Sequence, residues 1–391
     1  MSTDSKCGCS PKKENGDVPP VEPQVSCCSA PAATDGCSSD REAGVRPGFR
    51  LEPFVDSWLS TPLGPVPQVK TRLSAIDIRG RWAMRWGIGR NHYQVTPGLY
   101  AVGTPDENSE VLVSANYKFS FDVLRRAAAK LDVWLLVLDT KGVNVWCAAG
   151  KGTFGTDEIV RRVKAEKLES LVNHRRLIVP QLGAPGVAAH RVQQGCGFKV
   201  VYGPIRATDL PAFLAAGRKA TPEMRRVSFT LVERAVLTPV EIVVLRRQIL
   251  FVAVALLLLG GIGPSVFSPV AAGTRGGGAL LAGFGGLFAG AVATPILLPW
   301  LPGRAFALKG LWPGLALALL LGATLFSGSG VLNQTALLLQ VSAISSYTAM
   351  NFTGSTTFTS PSGVEKEMRA AIPAQLAAAA LALALWLWAA F

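Results

Sequence analysis

One cysteine of the chain stands where its thiol could do chemistry. Cys147 lies in the run NVWCAAGK, residues 144–151, directly after an apolar strand and at the predicted start of a helix. The N-terminus of a helix carries partial positive charge, so this position favours a thiolate. A thiolate can attack an electrophile or bind a soft metal ion. A lone cysteine beside a strand is more commonly a small buried side chain, so the surrounding residues must decide.

Two enzyme classes fit these surroundings poorly. The histidines are His92, His174 and His190, and none stands in a motif that would pair it with Cys147 as a base, which disfavours a Cys-His hydrolase. The glycine-rich turn at 150–153 lacks the phosphate-loop spacing, because position 145 is valine and Lys151 is followed by glycine. The turn could still hold phosphate or amide groups of a cofactor tail.

The elements around Cys147 predict an α/β domain from about residue 45 to residue 245. Apolar runs predict strands, helical patterns lie between them, and 133–138 has the continuous apolar character of a strand buried on both faces. This alternation predicts a doubly wound, Rossmann-like sheet with a mainly parallel core, in which ligands bind beyond the carboxyl ends of the strands. The predicted strands are 111–113, 133–138, 144–146 (short and extended), 177–179 and 198–202, and the predicted helices are 119–130, from Cys147 or Thr156 to 171, 187–194 and 210–216.

The C-terminal part, residues 246–391, predicts an all-α transmembrane domain. Apolar residues make up 49% of the chain and charged residues only 17%, and the charges lie mostly before residue 250. A spanning helix needs about 20 apolar residues. With a break at Ser327–Gly330, the uncharged stretches give five predicted helices, at 248–267, 277–301, 306–326, 331–351 and 371–391.

The positive charges predict an orientation in the cytoplasmic membrane. Basic residues precede the first helix and lie in the second and fourth connections, whereas the other side has only Arg275. The positive-inside rule therefore places the α/β domain in the cytoplasm and the C-terminus outside. Gly286 and Gly290 predict close helix packing, and the lack of charges within the spans disfavours a transporter. The net charge of +13 is spread over helix faces and span ends, so nucleic-acid binding is not expected.

The first 44 residues predict a disordered tail, since they are rich in proline, serine and glycine without apolar periodicity. No secretory signal is expected in this tail. Two readings of its cysteines stay open, namely a trap for soft cations and a variable tail without function. The cysteines that could bind such a cation are Cys7, Cys9, Cys27 and Cys28.

The motif at 144–151 resembles the cap-helix signature of the HgcA family, the corrinoid proteins of microbial mercury methylation. Two further segments, VSANYKFSFD at 113–122 and QLGAPGV at 181–187, resemble the corrinoid-binding domain of the related corrinoid iron–sulfur protein. The segment NFTGSTTFTS at 351–360 also resembles HgcA. The resemblance covers about residues 45–391 and excludes the cysteine-rich tail.

The resemblance implies that cobalamin or a related corrinoid binds base-off, with the Cys147 thiolate as the catalytic lower axial ligand of cobalt. It also implies that residues of four segments contact the cofactor. These are Asn116, Asn144, Val145, Trp146, Ala148, Ala149, Gly150, Lys151, Gly183, Ala184, Pro185, Gly186 and Gly203.

The implied reaction transfers a methyl group from methyl-Co(III) to Hg(II) and forms methylmercury. The methyl group would come from a donor linked to methyltetrahydrofolate. The sequence has no Cys-x-x-Cys cluster motif, so the ferredoxin-like HgcB with its 4Fe–4S clusters is the expected reductant. Two alternatives remain, a membrane-anchored corrinoid methyl carrier for a different acceptor, and a transporter or sensor with a metal-binding domain.

Overall fold

The computed structural model describes residues 52–352 and 361–391. The predicted tail, with Cys7, Cys9, Cys27 and Cys28, lies outside the described residues, as does most of the motif at 351–360.

The α/β domain is built on a seven-stranded sheet with the order β1-β2-β3-β5-β4-β6-β7. Its core is parallel, because β5, β4, β6 and β7 all run in the same direction. Two pairings, β1 with β2 and β3 with β5, are antiparallel. The strands are β1 (Val55–Thr61), β2 (Gly64–Val69), β3 (Gly98–Val102), β4 (Val111–Ala115), β5 (Val133–Leu138), β6 (Arg176–Val179) and β7 (Lys199–Tyr202).

Helices cover both faces of this sheet. Along β5, Trp134 and Leu136 face one hydrophobic core, while Val133 and Leu135 face the other. This period-two alternation is the reason that the whole strand is apolar. Helices α3, α4 and α5 contribute to the first core, and α2 and α6 contribute to the second. The helices of the domain are α1 (Ala75–Arg85), α2 (Lys118–Ala127), α3 (Val145–Gly150), α4 (Thr156–Ala165), α5 (Ala189–Cys196) and α6 (Leu210–Ala215).

The α/β prediction is confirmed as a mostly parallel sheet, with two local corrections near the cysteine. Residues 144–146 were predicted to be extended, which is wrong, since α3 begins at Val145. The reason is that the Asn144 side chain caps the helix and satisfies a backbone N–H that a strand would leave open. Of the two predicted starts of the following helix, Thr156 is confirmed as the start of α4, whereas a start at Cys147 is wrong because Gly152, with a φ of +80°, separates α3 from α4. Helix α4 ends at Ala165, before the predicted end at Leu171.

The C-terminal part is helical. It comprises α7 (Leu231–Ala235), α8 (Thr238–Val244), α9 (Arg246–Gly260), a long helix α10 (Pro269–Leu297) containing two π-helical turns, α11 (Phe306–Ala323), α12 (Val331–Asn351) and α13 (Pro361–Trp388). The predicted break at 327–330 is confirmed. The first predicted helix is shorter than expected, because it ends at Gly260 and a small hairpin follows, formed by β8 (Ile262–Gly263) and β9 (Val266–Phe267).

Three helices in the described part of the chain are long and apolar enough to cross a membrane, namely Pro269–Leu297, Phe306–Ala323 and Glu365–Trp388. A fourth span results if Leu231–Val244 and Arg246–Gly260, which are bent by 58°, are counted together. The predicted five spans are therefore not confirmed. Helix α12 is long enough, but it is rich in serine and glutamine, and two of its serines donate hydrogen bonds to carbonyl groups of α11.

Glycines allow these helices to approach closely, as predicted. A Cβ atom at Gly290 would overlap the Ser345 carbonyl oxygen of α12, and one at Gly286 would lie 2.9 Å from the Val341 oxygen. Small residues at such contacts let helix backbones pack directly against each other. Helix α12 therefore lies in the middle of the bundle, in contact with α10, α11 and α13.

Candidate functional site

Helix α3 presents Cys147 in its first turn. The Asn144 side-chain oxygen accepts a hydrogen bond from the Cys147 backbone N–H at 2.9 Å, and the Asn144 carbonyl accepts from Ala148 N–H at 2.8 Å. This cap fixes where the helix starts. Cys147 is a free, exposed cysteine, whereas Ala148 and Ala149 on the opposite side of the helix are buried in the core. The helix therefore turns its thiol outwards.

The loop before α3 is held by Asn116, a buried residue at the end of β4. Its side-chain oxygen accepts hydrogen bonds from the Thr140 backbone N–H at 3.1 Å, the Thr140 hydroxyl at 2.9 Å and the Gly142 N–H at 3.0 Å. Lys141 and Gly142 both have positive φ, and Val143 N–H closes the turn onto Thr140 O. Asn116 therefore positions the loop that leads into α3 and Cys147. Its contact with a cofactor remains a prediction.

The predicted glycine loop forms a turn of 3₁₀-helix, Gln181–Gly186, packed against α3. A Cβ atom at Gly183 would overlap the ring of Phe154, and one at Gly186 would overlap the Phe154 carbonyl oxygen. These glycines thus permit close packing under the cysteine helix. Ala184 and Pro185 lie in the same turn, and their predicted contacts with a cofactor are not tested.

A cavity of about 330 Å³ opens beyond the carboxyl ends of β4, β6 and β7, where the sequence predicted ligand binding. Its walls are mostly apolar. Asn144, Val145, Trp146 and Gly203, four of the predicted site residues, line it, together with Phe119, Leu182, Pro204, Ile205 and others. Phe119 and Leu182 were not predicted to be site residues, because their apolar side chains look like ordinary core positions in the sequence.

The surface next to the cavity is open around the thiol. Trp146 is 41% exposed although it lines the cavity, and Gly150, Lys151 and Gly152 are all exposed. A Cβ atom at Gly150 would meet no atom within 4 Å. The site thus combines an exposed thiol and a bare glycine surface with an adjoining apolar cavity.

Positive charge lies near Tyr117, at the start of α2. Burial raises the pKa of Tyr117, while Arg90 and Arg85 oppose that shift and the charge of Cys147 adds to it. Arg85 ends α1 and Arg90 follows it, and neither was predicted as a site residue because they are distant from Cys147 in sequence.

A buried ion cluster fixes α1 against the start of α2. Lys118 Nζ lies 2.7 Å from Asp77 Oδ1 and 2.6 Å from Asp122 Oδ1, and Arg125 pairs with the same two carboxylates. Burial alone would raise the pKa of Asp77, but hydrogen bonds from Lys118 and Ser74 and the Lys118 charge hold it well below its usual range. The cluster anchors the segment that carries Asn116 and Phe119.

No three histidine, cysteine, aspartate or glutamate side chains within residues 52–352 and 361–391 are grouped so that they could hold a metal ion. Cys147 therefore offers a single soft ligand rather than one corner of a metal cage.

Comparison with known proteins gives this domain its relatives. Residues 88–214 match the family described as CO dehydrogenase/acetyl-CoA synthase delta subunit, CdhD. This region is CdhD-like. The acetyl-CoA decarbonylase/synthase complex subunit gamma of Methanopyrus kandleri is 34% identical over 127 residues, 32% of this chain and 27% of that protein. The corrinoid/iron-sulfur protein large subunit of Moorella thermoacetica is 30% identical over 125 residues, 32% of this chain and 28% of that protein.

The chain thus spans about a quarter of the length of these curated relatives. The CdhD-like region contains Asn116, Cys147, the turn at 181–186 and Gly203, so every predicted cofactor contact falls within it. The helical C-terminal part lies outside the match.

Proposed function

We propose that the CdhD-like domain binds cobalamin or a related corrinoid base-off, with the Cys147 thiolate as the lower axial ligand of cobalt. The observation that carries this proposal is the exposed Cys147 on a capped helix, beside an apolar cavity at the ligand-binding edge of the sheet. A relative over the same region is named a corrinoid/iron-sulfur protein large subunit.

The residues present fit such a cofactor. A thiolate is a soft donor suited to a transition metal. The cavity of about 330 Å³ has a mostly apolar lining and a volume within the usual range of ligand pockets. Gly150 at the end of α3 and Gly152 just beyond it are exposed and carry no side chain, so a flat ring could approach the surface beside the thiol.

The protein residues would act by placing one sulfur atom. Asn144 fixes the first turn of α3, and Asn116 fixes the loop before it. Trp146 would flank the cofactor between the cavity and the surface, since it reaches both. A bound corrinoid would supply a transferable methyl group, and electron donation from the Cys147 thiolate would increase the electron density on that group.

We propose Hg(II) as the methyl acceptor and methylmercury as the product. Hg(II) is an electrophile, so it requires a methyl group that carries electron density, which strong donation from sulfur favours. The methyl donor would be linked to methyltetrahydrofolate. A ferredoxin-like HgcB would supply two electrons for each methyl group transferred, because the group arrives as a cation equivalent and leaves as an anion equivalent. The runner-up is a corrinoid methyl carrier with a different acceptor, which the names of the acetyl-CoA decarbonylase/synthase relatives favour.

We propose that the helical part is a multi-pass anchor in the cytoplasmic membrane, with α12 as a fifth span in the bundle centre. The basic residues support a cytoplasmic α/β domain. In a five-span topology, Arg246, Arg304 and Lys366 lie at helix ends on the same side of the membrane as this domain, and basic residues are enriched on the cytoplasmic side. The Lys309 ammonium donates to the Leu298 and Leu301 carbonyls and closes the connection between α10 and α11 on that side.

The visible spectrum of the full-length protein with a corrinoid tests the cobalt ligand. Cys147→Ala should change the spectrum and abolish methylmercury formation in the presence of methyl donor, reductant and Hg(II). Cys147→His should keep part of the activity, because imidazole can also bind cobalt, whereas Cys147→Thr should not. Cys196→Ala is the matched control, since this thiol is half-buried on α5 and contacts Val192 O.

Two results would contradict the proposal in different ways. A Cys147→Ala protein with an unchanged spectrum and full activity would remove the thiolate ligand. A wild-type protein that binds methylated corrinoid through Cys147 but never forms methylmercury would favour the carrier with another acceptor.

A further inference from the structure

Helix α1 exposes an apolar stripe. Ile78, Trp82 and Trp86 recur every four residues and so share one face, and Trp82 is 60% exposed. Ile88, just beyond the helix, is 68% exposed. Within residues 52–352 and 361–391, no other part of the chain covers these side chains. Two tryptophans and two isoleucines on one open surface are far more than the scattered apolar residues of an ordinary protein surface.

The opposite face of α1 is firmly attached to the domain. Asp77 joins the buried ion cluster, Met84 is buried against Tyr117, and Gly80 lies directly against the Tyr93 ring. The helix also begins with a capping box, in which Ser74 and Asp77 bond reciprocally. The helix therefore cannot rotate to bury its tryptophans, and their exposure is a fixed property of the fold.

The charges around the stripe are positive. The segment from Arg72 to Arg90 contains five arginines and only one acidic residue, and that residue, Asp77, is buried in the ion cluster. Arg81 and Arg85 lie over the Phe119 ring at one border of the stripe, while Arg79 is exposed at the other. Tryptophan and isoleucine flanked by arginine are typical of helices that lie in the interface of an anionic membrane.

The position of α1 connects this surface to the apolar helices. A Cβ atom at Gly87, one residue past Trp86, would lie 3.1 Å from Val243 of α8. Helix α8 directly precedes α9, which begins with Arg246 and Arg247 and then becomes wholly apolar. The tryptophan end of α1 therefore lies beside the point where the chain would enter the membrane.

We propose that α1 docks on the cytoplasmic surface of the bilayer. Ile78, Trp82 and Trp86 would enter the headgroup region, and Arg79, Arg85 and Arg90 would contact anionic phospholipid. This inference rests on the proposed membrane placement of the C-terminal helices. Because Arg81 and Arg85 also contact Phe119 of the cavity wall, docking would hold the Cys147 edge of the sheet next to the membrane surface.

An environment-sensitive fluorophore on single cysteines of the otherwise cysteine-free full chain tests the docking. The protein is reconstituted into vesicles of phosphatidylcholine and phosphatidylglycerol and labelled at Ile78→Cys. Leu250→Cys on exposed α9 reports the spanning helices, and Asn108→Cys in an exposed turn is the aqueous control. The Ile78 label should emit at shorter wavelength and be quenched by lipids that carry a spin label near the headgroup. Arg79→Glu together with Arg90→Glu should weaken this quenching.

The two control positions separate the possible failures. If the Leu250 label is quenched by lipid but the Ile78 label behaves like the Asn108 label, the docking of α1 is wrong while the membrane placement stands. If neither label is quenched, the membrane placement itself fails. If the emission of the Ile78 label shifts to shorter wavelength only when a ferredoxin is added, the stripe binds a protein partner and the proposal is overturned.

Discussion

The Asn144 side-chain oxygen lies 2.9 Å from the backbone nitrogen of Cys147 and accepts a hydrogen bond from its N–H group. One residue thus sets both the start of α3 and the direction of the Cys147 side chain. The same asparagine lines the cavity. Asn144 therefore belongs both to the cap of the helix and to the wall of the cavity. A substitution of Asn144 should change the position of the Cys147 thiol, although the substituted side chain bonds only to the Cys147 backbone.

Replacement of this cap should loosen the thiol. Asn144→Ala should lower the free energy of unfolding of the α/β domain by about 1 kcal/mol, since a first-turn N–H loses its acceptor. Asn144→Asp, which keeps an acceptor oxygen, should remain close to wild type. Thermal unfolding in detergent measures the stability, and the spectrum of bound corrinoid measures the ligation. Equal spectra for both variants would mean that the cap does not position Cys147.

The loop held by Asn116 should be more sensitive still. Asn116→Ala leaves the backbone N–H groups of Thr140 and Gly142 without their acceptor, the first of them at a fully buried residue, whereas the Thr140 hydroxyl still donates to the Val143 carbonyl at 2.7 Å. An unsatisfied buried polar group costs about 1–3 kcal/mol, so the unfolding midpoint should fall clearly. Asn116→Asp retains the accepting oxygens and should lose less. If Asn116→Ala kept wild-type stability but lost corrinoid, the residue would be a direct cofactor contact instead.

Two glycines of the site should respond in opposite ways. Gly186→Ala would push a methyl group into the Phe154 carbonyl oxygen and to 3.1 Å from Ala149 Cα, so it should destabilise the protein with or without cofactor. Gly150→Ala meets no protein atom within 4 Å and stands in a helix, so it should preserve or raise the unfolding temperature.

Gly150→Ala should affect cofactor binding differently from protein stability. If the corrin ring lies over α3, the added methyl group should weaken corrinoid binding although the protein is no less stable. Titration of both variants with the cofactor, followed by absorbance, measures this. Unchanged affinity in Gly150→Ala would place the ring elsewhere on the domain.

Elements with a local sequence pattern could be predicted from the sequence. Contacts between residues on neighbouring strands could not, because they depend on the strand order of the sheet. The strand at Val133–Leu138 was predictable because burial on both faces makes each of its residues apolar. The helix start at Val145 was not, since valine and tryptophan favour extended structure and the asparagine cap outweighs them. The contact between Asn116 and Thr140 arises because β4 and β5 are neighbours, which no periodicity reveals.

The N-terminal third of the domain shows the same limit. Strand β1 contains exposed polar residues and β2 contains two prolines, so neither strand carries a strong apolar signal. The buried ion cluster joins Asp77 to residues about forty positions later and could not be inferred from charge pattern alone. In the helical part, α12 has the predicted bounds 331–351, but it is not among the helices that are apolar enough to cross a membrane, and its Ser345 hydroxyl donates to the Gly310 carbonyl of α11.

The ion cluster should make the stability of the domain depend on acid. Asp77 has a lowered pKa in the folded protein because Lys118 and Ser74 outweigh the effect of burial. A carboxylate with a lowered folded-state pKa stabilises the fold fully above its unfolded-state pKa, which is about 4, and this contribution is lost as the pH falls further. Wild-type stability should therefore decline steadily below about pH 4.

Asp77→Asn should remove that part of the acid dependence. At pH 7 it should cost about 3 kcal/mol, since Lys118 and Arg125 keep only Asp122 as a buried counter-charge. As the pH falls, the wild-type and variant stabilities should converge. Unfolding midpoints between pH 7 and pH 3 measure both effects, and Glu107→Gln in an exposed turn controls for the loss of one negative charge. Parallel pH profiles for the wild type and Asp77→Asn would show that the lowered pKa of Asp77 does not contribute to the stability of the domain.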